Sequence, residues 1–253
     1  MQRVKIDHLS CLVTGSGPPL VLLHGLAGSA AEMMAVSLPG RRLIAPDQRG
    51  HGHSVRRPDD LSREAYVEDV ARVITALADG GPVALAGQSM GAHTAMLTAA
   101  RHPGLVDRLV MLEGGVGGSV DDYPARLGQW FASWPVPFPT REAAVDFLGP
   151  GSLATAWAAE LEEHPDGFRP RFDADIMEAA IRPVAETARW TEWQQVQAPT
   201  LIVRAAESRN PDEEIARMAE LRPGTRVVTI PDSGHDAHLD QPESWAKLLR
   251  DFL

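Results

Sequence analysis

Four apolar residues, Val83-Ala84-Leu85-Ala86, run directly into Gly87-Gln88-Ser89-Met90-Gly91 and then into an alanine-rich stretch ending at Arg101, before Pro103. The apolar run predicts a buried strand, and the stretch from Ala92 to Arg101 predicts a helix that stops ahead of the proline. A strand that hands over to a helix within five residues points to a layered α/β architecture. The two glycines permit the sharp turn and leave room beside Ser89, so its hydroxyl projects above the end of the strand in a strained conformation. A serine held this way is the sequence form of a nucleophile elbow.

The same alternation extends along the chain. Leu20-Val21-Leu22-Leu23, Arg42-Leu43-Ile44-Ala45 and Arg108-Leu109-Val110-Met111-Leu112 read as strands, while Tyr66, Val70, Val73, Ile74 and Leu77 recur at helical spacing. From Pro199 the pattern resumes with strands at 200–203 and 226–230, a helix over 213–221, and a closing helix through Trp245, Leu248, Leu249 and Phe252. The expected fold is α/β, a doubly wound and mostly parallel sheet covered by helices on both faces.

Between these halves the texture changes. Residues 119–193 hold 11 of the 14 aromatics, together with Pro135, Pro137 and Pro139, and show no clear strand. The organisation expected is a core of residues 1–118 and 191–253 with an inserted helical lid at 119–190. Trp130, Trp134, Phe138 and Trp157 are candidates for the wall of an apolar pocket at the junction. A small subdomain also needs large side chains simply to pack.

The net charge of −10 argues against nucleic acid or an anionic membrane as partner and leaves a small molecule as the expected one. No apolar run approaches the length of a membrane span, and the first eight residues carry no apolar signal core. The single cysteine, Cys11, cannot form an internal disulfide and reads as a small core residue. A cytoplasmic protein is expected, and nothing fixes its oligomeric state.

Ser89 needs a base. His235 lies just after the strand at 226–230 and before the last helix, at the strand edge where open α/β sheets place ligands. His238, three residues on, is its rival. Developing negative charge needs preorganised donors. The Met90 N–H at the start of the elbow helix is one candidate, and the Leu26 N–H in His24-Gly25-Leu26-Ala27-Gly28 is the other. G-x-G-x-x-G is absent, so no dinucleotide cofactor is expected. His51-x-His53, within the loop Asp47 to Ser54, lacks a third ligand at sensible spacing. No metal or other cofactor is expected, and that loop reads as support for the oxyanion loop.

Taken in order, His24-Gly25, Asp47-x-Arg49-Gly50-x-Gly52-x-Ser54, Gly87-x-Ser89-x-Gly91 and Gly234-His235 resemble the α/β-hydrolase superfamily across the whole core, leaving only the lid unmatched. The resemblance implies the chain order serine, acid, histidine, a lid over the site, and the two backbone donors named above. Members usually carry an aspartate shortly after the strand that matches Pro199–Val203, and here the aligned position is Ser208. Glu207 is adjacent, offset by one residue. Glu113, 24 residues past Ser89 at the end of the next strand, is the alternative. Members resembling the haloalkane dehalogenases and zearalenone lactonases take their acid from that strand end. Glu113 is therefore read as the acid, with Glu207 in reserve.

The resulting expectation is a serine hydrolase that cleaves an ester, lactone or thioester of an apolar or aromatic small molecule through an acyl-enzyme. Cofactor-free haloperoxidase or perhydrolase chemistry, carbon–carbon bond hydrolysis, and a non-catalytic receptor on the same fold stand as alternatives. Serine at position 89 speaks against dehalogenase and epoxide-hydrolase chemistry, which needs a carboxylate nucleophile.

Overall fold

The computed structural model describes residues 1–118 and 121–253; the first two positions of the expected lid, 119 and 120, lie outside the described residues. Among the described residues ten strands form. They are β1 (Gln2–Ile6), β2 (Leu9–Gly15), β3 (Pro19–Leu23), β4 (Arg42–Asp47), β5 (Val83–Gln88), β6 (Val106–Leu112), β7 (Glu162–His164), β8 (Gly167–Arg169), β9 (Thr200–Ala205) and β10 (Arg226–Ile230). The helices are α1 (Ala30–Met33), α2 (Arg63–Leu77), α3 (Met90–Arg101), α4 (Tyr123–Ala132), α5 (Arg141–Leu148), α6 (Ser152–Ala159), α7 (Ala174–Glu186), α8 (Trp190–Gln195), α9 (Asp212–Leu221), α10 (Ala237–Asp240) and α11 (Pro242–Phe252).

Eight strands pair in the order β1-β2-β4-β3-β5-β6-β9-β10. The β1–β2 and β2–β4 pairs are antiparallel and the remaining pairs parallel. Successive side chains of the central strands point to opposite faces, and each face has its own core. Leu20, Leu22, Ala84, Ala86, Val110 and Leu112 pack with Met33 of α1 and Trp245 and Leu249 of α11. Val21, Leu23, Val83, Leu85, Leu109 and Met111 pack with Val70 and Ile74 of α2, Met96 of α3, Trp193 of α8 and Met218 of α9. Burying such side chains stabilises the fold by roughly 1.5–3 kcal/mol each, which is why unbroken apolar runs make central strands. Cys11 is part of this core, and burial pushes its thiol up to about 12.

Between β6 and α8 lie α4 to α7 and a short β7–β8 hairpin. The hairpin corrects the expectation of a strand-free segment. Its two three-residue strands, Glu162–His164 and Gly167–Arg169, are too short and too charged to show an alternating pattern, and Gly167 at φ +133° opens β8 directly after the two-residue turn. Aromatic rings cluster in this region: Phe131 and Phe172 have centroids 5.1 Å apart, Trp130 and Trp134 5.3 Å, and Trp134 and Trp157 5.7 Å. Trp193, by contrast, belongs to the core, and its indole N–H donates to the Met218 carbonyl at 2.9 Å.

Candidate active site

Ser89 is the first residue beyond β5 and has φ 53°, ψ −117°, a conformation costly for any residue with a side chain. Its N–H donates to Leu112 O at 2.9 Å, which pins the turn to β6. The neighbouring glycines are steric necessities. A Cβ on Gly87 would lie 2.3 Å from Gly91 O, and a Cβ on Gly91 would lie 2.3 Å from Leu23 O. Met90 opens α3, so its N–H is among those that a helix cannot satisfy internally.

Glu113 stands in the equivalent place one strand over, the first residue beyond β6, at φ 49°. This backbone turn aims its carboxylate at the rim of β9. Oε1 accepts the Ala205 N–H at 2.7 Å, and Oε2 accepts the Arg209 N–H at 3.2 Å. Oε2 also lies 3.3 Å from His235 Nδ1. Glu113 is only 2% exposed. Burial pushes its pKa up, but hydrogen bonds from His235, Ala205, the Ser208 hydroxyl and Arg209 together hold it below the ordinary carboxylate value. Ser208, at the position where the family usually has its acid, thus serves as a donor to a carboxylate from the neighbouring strand. Glu207 is exposed, with its backbone N–H on Ser233 O at 3.0 Å.

His235 is half-buried on the loop after β10. The side chain of Gln88, next to Ser89, ties that loop to the elbow strand: its Nε2 donates to His235 O at 3.1 Å and to Asp236 Oδ1 at 3.2 Å. His238 is buried elsewhere, with Nε2 3.0 Å from Glu32 Oε1.

The loop after β3 presses against the elbow, since a Cβ on Gly25 would lie 2.1 Å from Gln88 Oε1 and 3.4 Å from Ser89 Cβ. His24 fixes this loop. Its Nε2 accepts the Gln48 N–H at 2.9 Å, which leaves Nδ1–H to donate to Gly25 O at 2.7 Å. Burial lowers the His24 pKa and keeps that neutral tautomer. Gln48 Nε2 donates to His24 O at 2.7 Å, and Asp47 Oδ1 accepts the Ala30 N–H at 2.7 Å. The segment from Asp47 to Ser54 is therefore the brace of the loop that carries Leu26.

His51 and His53 diverge. His51 is buried with Nδ1 2.9 Å from Arg49 O and its pKa lowered by burial to about 3, whereas His53 is exposed. Among the described residues, Glu32, Asp236 and His238 are the group with ligand atoms close enough to hold a metal ion, all within 4.8 Å of one another. Burial raises the Asp236 pKa.

Of the four lid aromatics singled out in the sequence, Trp134 and Trp157 line a narrow cavity beside Ala27 and Gly28, together with Glu160, Arg171 and Phe172. Trp130 is 41% exposed, and Phe138 is buried in a cluster with Phe131, Trp134 and Phe172. Four features of this region escaped the sequence reading: the Ser208 donor, the Gln88 tie, the Glu32–His238 pair, and a fully buried Arg63. Only the last left a signal, for Arg63 continues the apolar stripe of Tyr66, Val70, Val73 and Leu77 toward the start of α2.

The sequence profile of the alpha/beta hydrolase family matches residues 20–248. The chain belongs to the alpha/beta hydrolase family. This hydrolase is 28% identical, over 281 aligned positions, to the 2-(acetamidomethylene)succinate hydrolase of Mesorhizobium japonicum, covering 100% of this chain and 94% of that one. It is 27% identical over 255 positions to the sn-1-specific diacylglycerol lipase ABHD11 of Mus musculus, covering 93% and 81%. The crystal structure of E-2-(acetamidomethylene)succinate hydrolase superposes with a TM-score of 0.86 at 26% identity, over 99% and 97% of the two chains. No helix among the described residues of this hydrolase is long and apolar enough to cross a membrane.

Proposed function

We propose that this hydrolase cleaves a carboxylic ester, lactone or thioester of a small molecule through an acyl-enzyme on Ser89. The observation that carries the reading is the pairing of a strained serine at the end of β5 with the Glu113–His235 contact on the next loops. Ser89 Oγ attacks the substrate carbonyl as His235 Nε2 takes its proton, and Glu113 stabilises the imidazolium through Nδ1. The oxyanion is met by the N–H groups of Leu26 and Met90. Collapse of the tetrahedral species breaks the bond to the leaving group, which takes the proton back from His235. Water, activated by the same imidazole, then releases the acid and regenerates Ser89.

Residues 119–190 act as the lid, and Trp134 and Trp157 present apolar surface to the substrate beside the oxyanion loop. The full-length similarity to a hydrolase of 2-(acetamidomethylene)succinate supports a small-molecule substrate. The buried, unpaired Cys11 fits a cytoplasmic setting. Replacing Ser89 by Ala tests the mechanism. Turnover of p-nitrophenyl butyrate should fall by roughly three or more orders of magnitude, as removal of a nucleophile does elsewhere. Turnover at the wild-type rate would reject it.

A further inference from the structure

Arg63 opens α2 and is 0% exposed. Its Nη2 donates to Thr94 Oγ1, and its guanidinium lies over the Tyr66 ring, 4.5 Å from the centroid. Nε and Nη1 have no hydrogen-bond partner among the described residues. The adjacent carboxylate does not pair with it, because Glu64 Oε1 accepts from Arg101 at 2.7 Å. An enclosed charge without a counter-ion costs several kcal/mol, and an apolar side chain of the same volume would fill the place without that penalty.

The neighbouring arginines, by contrast, have carboxylate partners: Arg189 Nη1 donates to Glu192 Oε1 at 3.1 Å, and Arg101 Nη2 lies 2.7 Å from Glu64 and 3.6 Å from Glu192. Arg189 has its own buried Nε without a partner among the described residues. Burial, then Arg189 and Arg101, lower the Arg63 pKa, partly offset by Tyr66 and Glu64, yet it settles at about 10, so the group stays charged at neutral pH. His93, fully buried and near the same arginines, is held well below its ordinary value, chiefly by burial. Arg63 is thus the cation of this cluster that has no carboxylate partner among the described residues, and an entering anion would complete it.

Its position says which anion. Thr94, which receives Arg63, donates its hydroxyl to Met90 O at 2.9 Å, and the His93 N–H donates to Ser89 O at 3.1 Å. Arg63 thus meets α3 at Thr94, one helical turn after the Met90 that opens the helix beside Ser89. Around it lies the seam between core and lid, where Tyr66, Met90, Ile181 and Val184 pack with Leu26 and Tyr123. The seam therefore includes Met90 and Leu26, whose backbone N–H groups are proposed to meet the oxyanion, and Tyr66, whose ring carries the Arg63 guanidinium.

We propose that the acyl group of the substrate ends in a carboxylate, which enters this seam and pairs with Arg63 while its other end is attacked by Ser89. The proposal rests on the acyl-enzyme reading and narrows its substrates to half-esters, lactones or thioesters of dicarboxylic acids. Apolar seam residues grip the methylenes, and Arg63 selects the charged end.

Steady-state rates on the wild-type enzyme with p-nitrophenyl hydrogen glutarate and p-nitrophenyl pentanoate test this without any substitution. A hydrogen-bonded charge contact is worth about 1.5–3 kcal/mol, so kcat/KM should favour the acidic ester by roughly 10- to 150-fold. In Arg63→Gln that ratio should collapse to near one, and Arg63→Lys should keep part of it. Glutarate should also bind the Ser89→Ala protein in a calorimeter and bind Arg63→Gln at least tenfold more weakly. Equal or faster turnover of pentanoate by the wild type overturns the proposal, as does an absence of glutarate binding to Ser89→Ala. If neither ester turns over while glutarate still binds, the acyl-enzyme reading fails and the anion subsite stands.

Discussion

Glu113 Oε2 lies 3.3 Å from His235 Nδ1 although the two residues are 122 positions apart and follow different strands. Each reaches the other from the carboxyl edge of the sheet. The carboxylate is held by two backbone N–H groups and the Ser208 hydroxyl, so it arrives already oriented and ionised. An imidazolium forming on His235 then meets a fixed charge that needs no rearrangement.

Replacing Glu113 by Gln keeps the volume but offers His235 an amide where a carboxylate stood. The account expects kcat on a p-nitrophenyl ester to fall by about three to four orders of magnitude, with a far smaller change in thermal midpoint. Glu207→Gln, at an exposed carboxylate on the loop after β9, should change kcat less than about twofold. Comparable losses in both variants would show that Glu113 is not the group that orients the histidine.

Gly91 is the point where the elbow helix touches the oxyanion loop. A Cβ there would lie 2.3 Å from Leu23 O and 2.5 Å from His24 O, both backbone atoms that cannot turn aside. Gly91→Ala must therefore push α3 away from β3, at a cost of about 1–3 kcal/mol in stability. Because that shift separates the Met90 and Leu26 N–H groups, ester turnover should drop by more than tenfold even at a temperature where the variant is fully folded. Chemical denaturation and steady-state kinetics on the same preparation check both halves.

Acid should unfold the protein through its buried histidines. His24, His51 and His93 are fully enclosed, and burial holds each below the ordinary value of 6.5, His51 at about 3. The unfolded chain takes up protons that the folded chain refuses, so this stability is complete above pH 6.5 and is lost as pH falls toward the folded values. Each histidine contributes up to about 1.4 kcal/mol per pH unit in that window. Glu160, Glu214 and Asp236, whose pKa values burial raises, oppose them. Urea unfolding at pH 7.0 and 5.5 should show the wild type weaker at the lower pH and His51→Gln with a shallower slope. A wild type more stable at pH 5.5, or an unchanged slope in the variant, contradicts this.

The sheet was readable because its central strands are apolar on both faces, so 20–23, 83–86 and 108–112 stand out as unbroken runs. The elbow was readable because Gly87 and Gly91 are demanded by backbone contacts that no other residue fits. The β7–β8 hairpin escaped because three residues per strand are too few to show a period. Contacts set by tertiary approach left no local trace either. The Ser208 hydroxyl on Glu113 and the Glu32–His238 pair, 206 positions apart, arise only once β6 meets β9 and α1 meets α10. Arg63 lay on the apolar stripe of α2, yet a basic residue beside Ser62 and Glu64 reads as a solvated helix start until its burial is seen.

The covalent intermediate on Ser89 is the centre of the account, and one experiment reaches it directly. The enzyme is titrated with a fluorophosphonate while turnover of p-nitrophenyl butyrate is followed, and the labelled peptide is identified by mass spectrometry. The account predicts many turnovers per molecule before labelling, one equivalent of label on the peptide carrying Ser89, and activity lost in proportion to label. Turnover that survives stoichiometric labelling of Ser89, or label that appears on Ser89 in a protein without turnover of any ester, would contradict it.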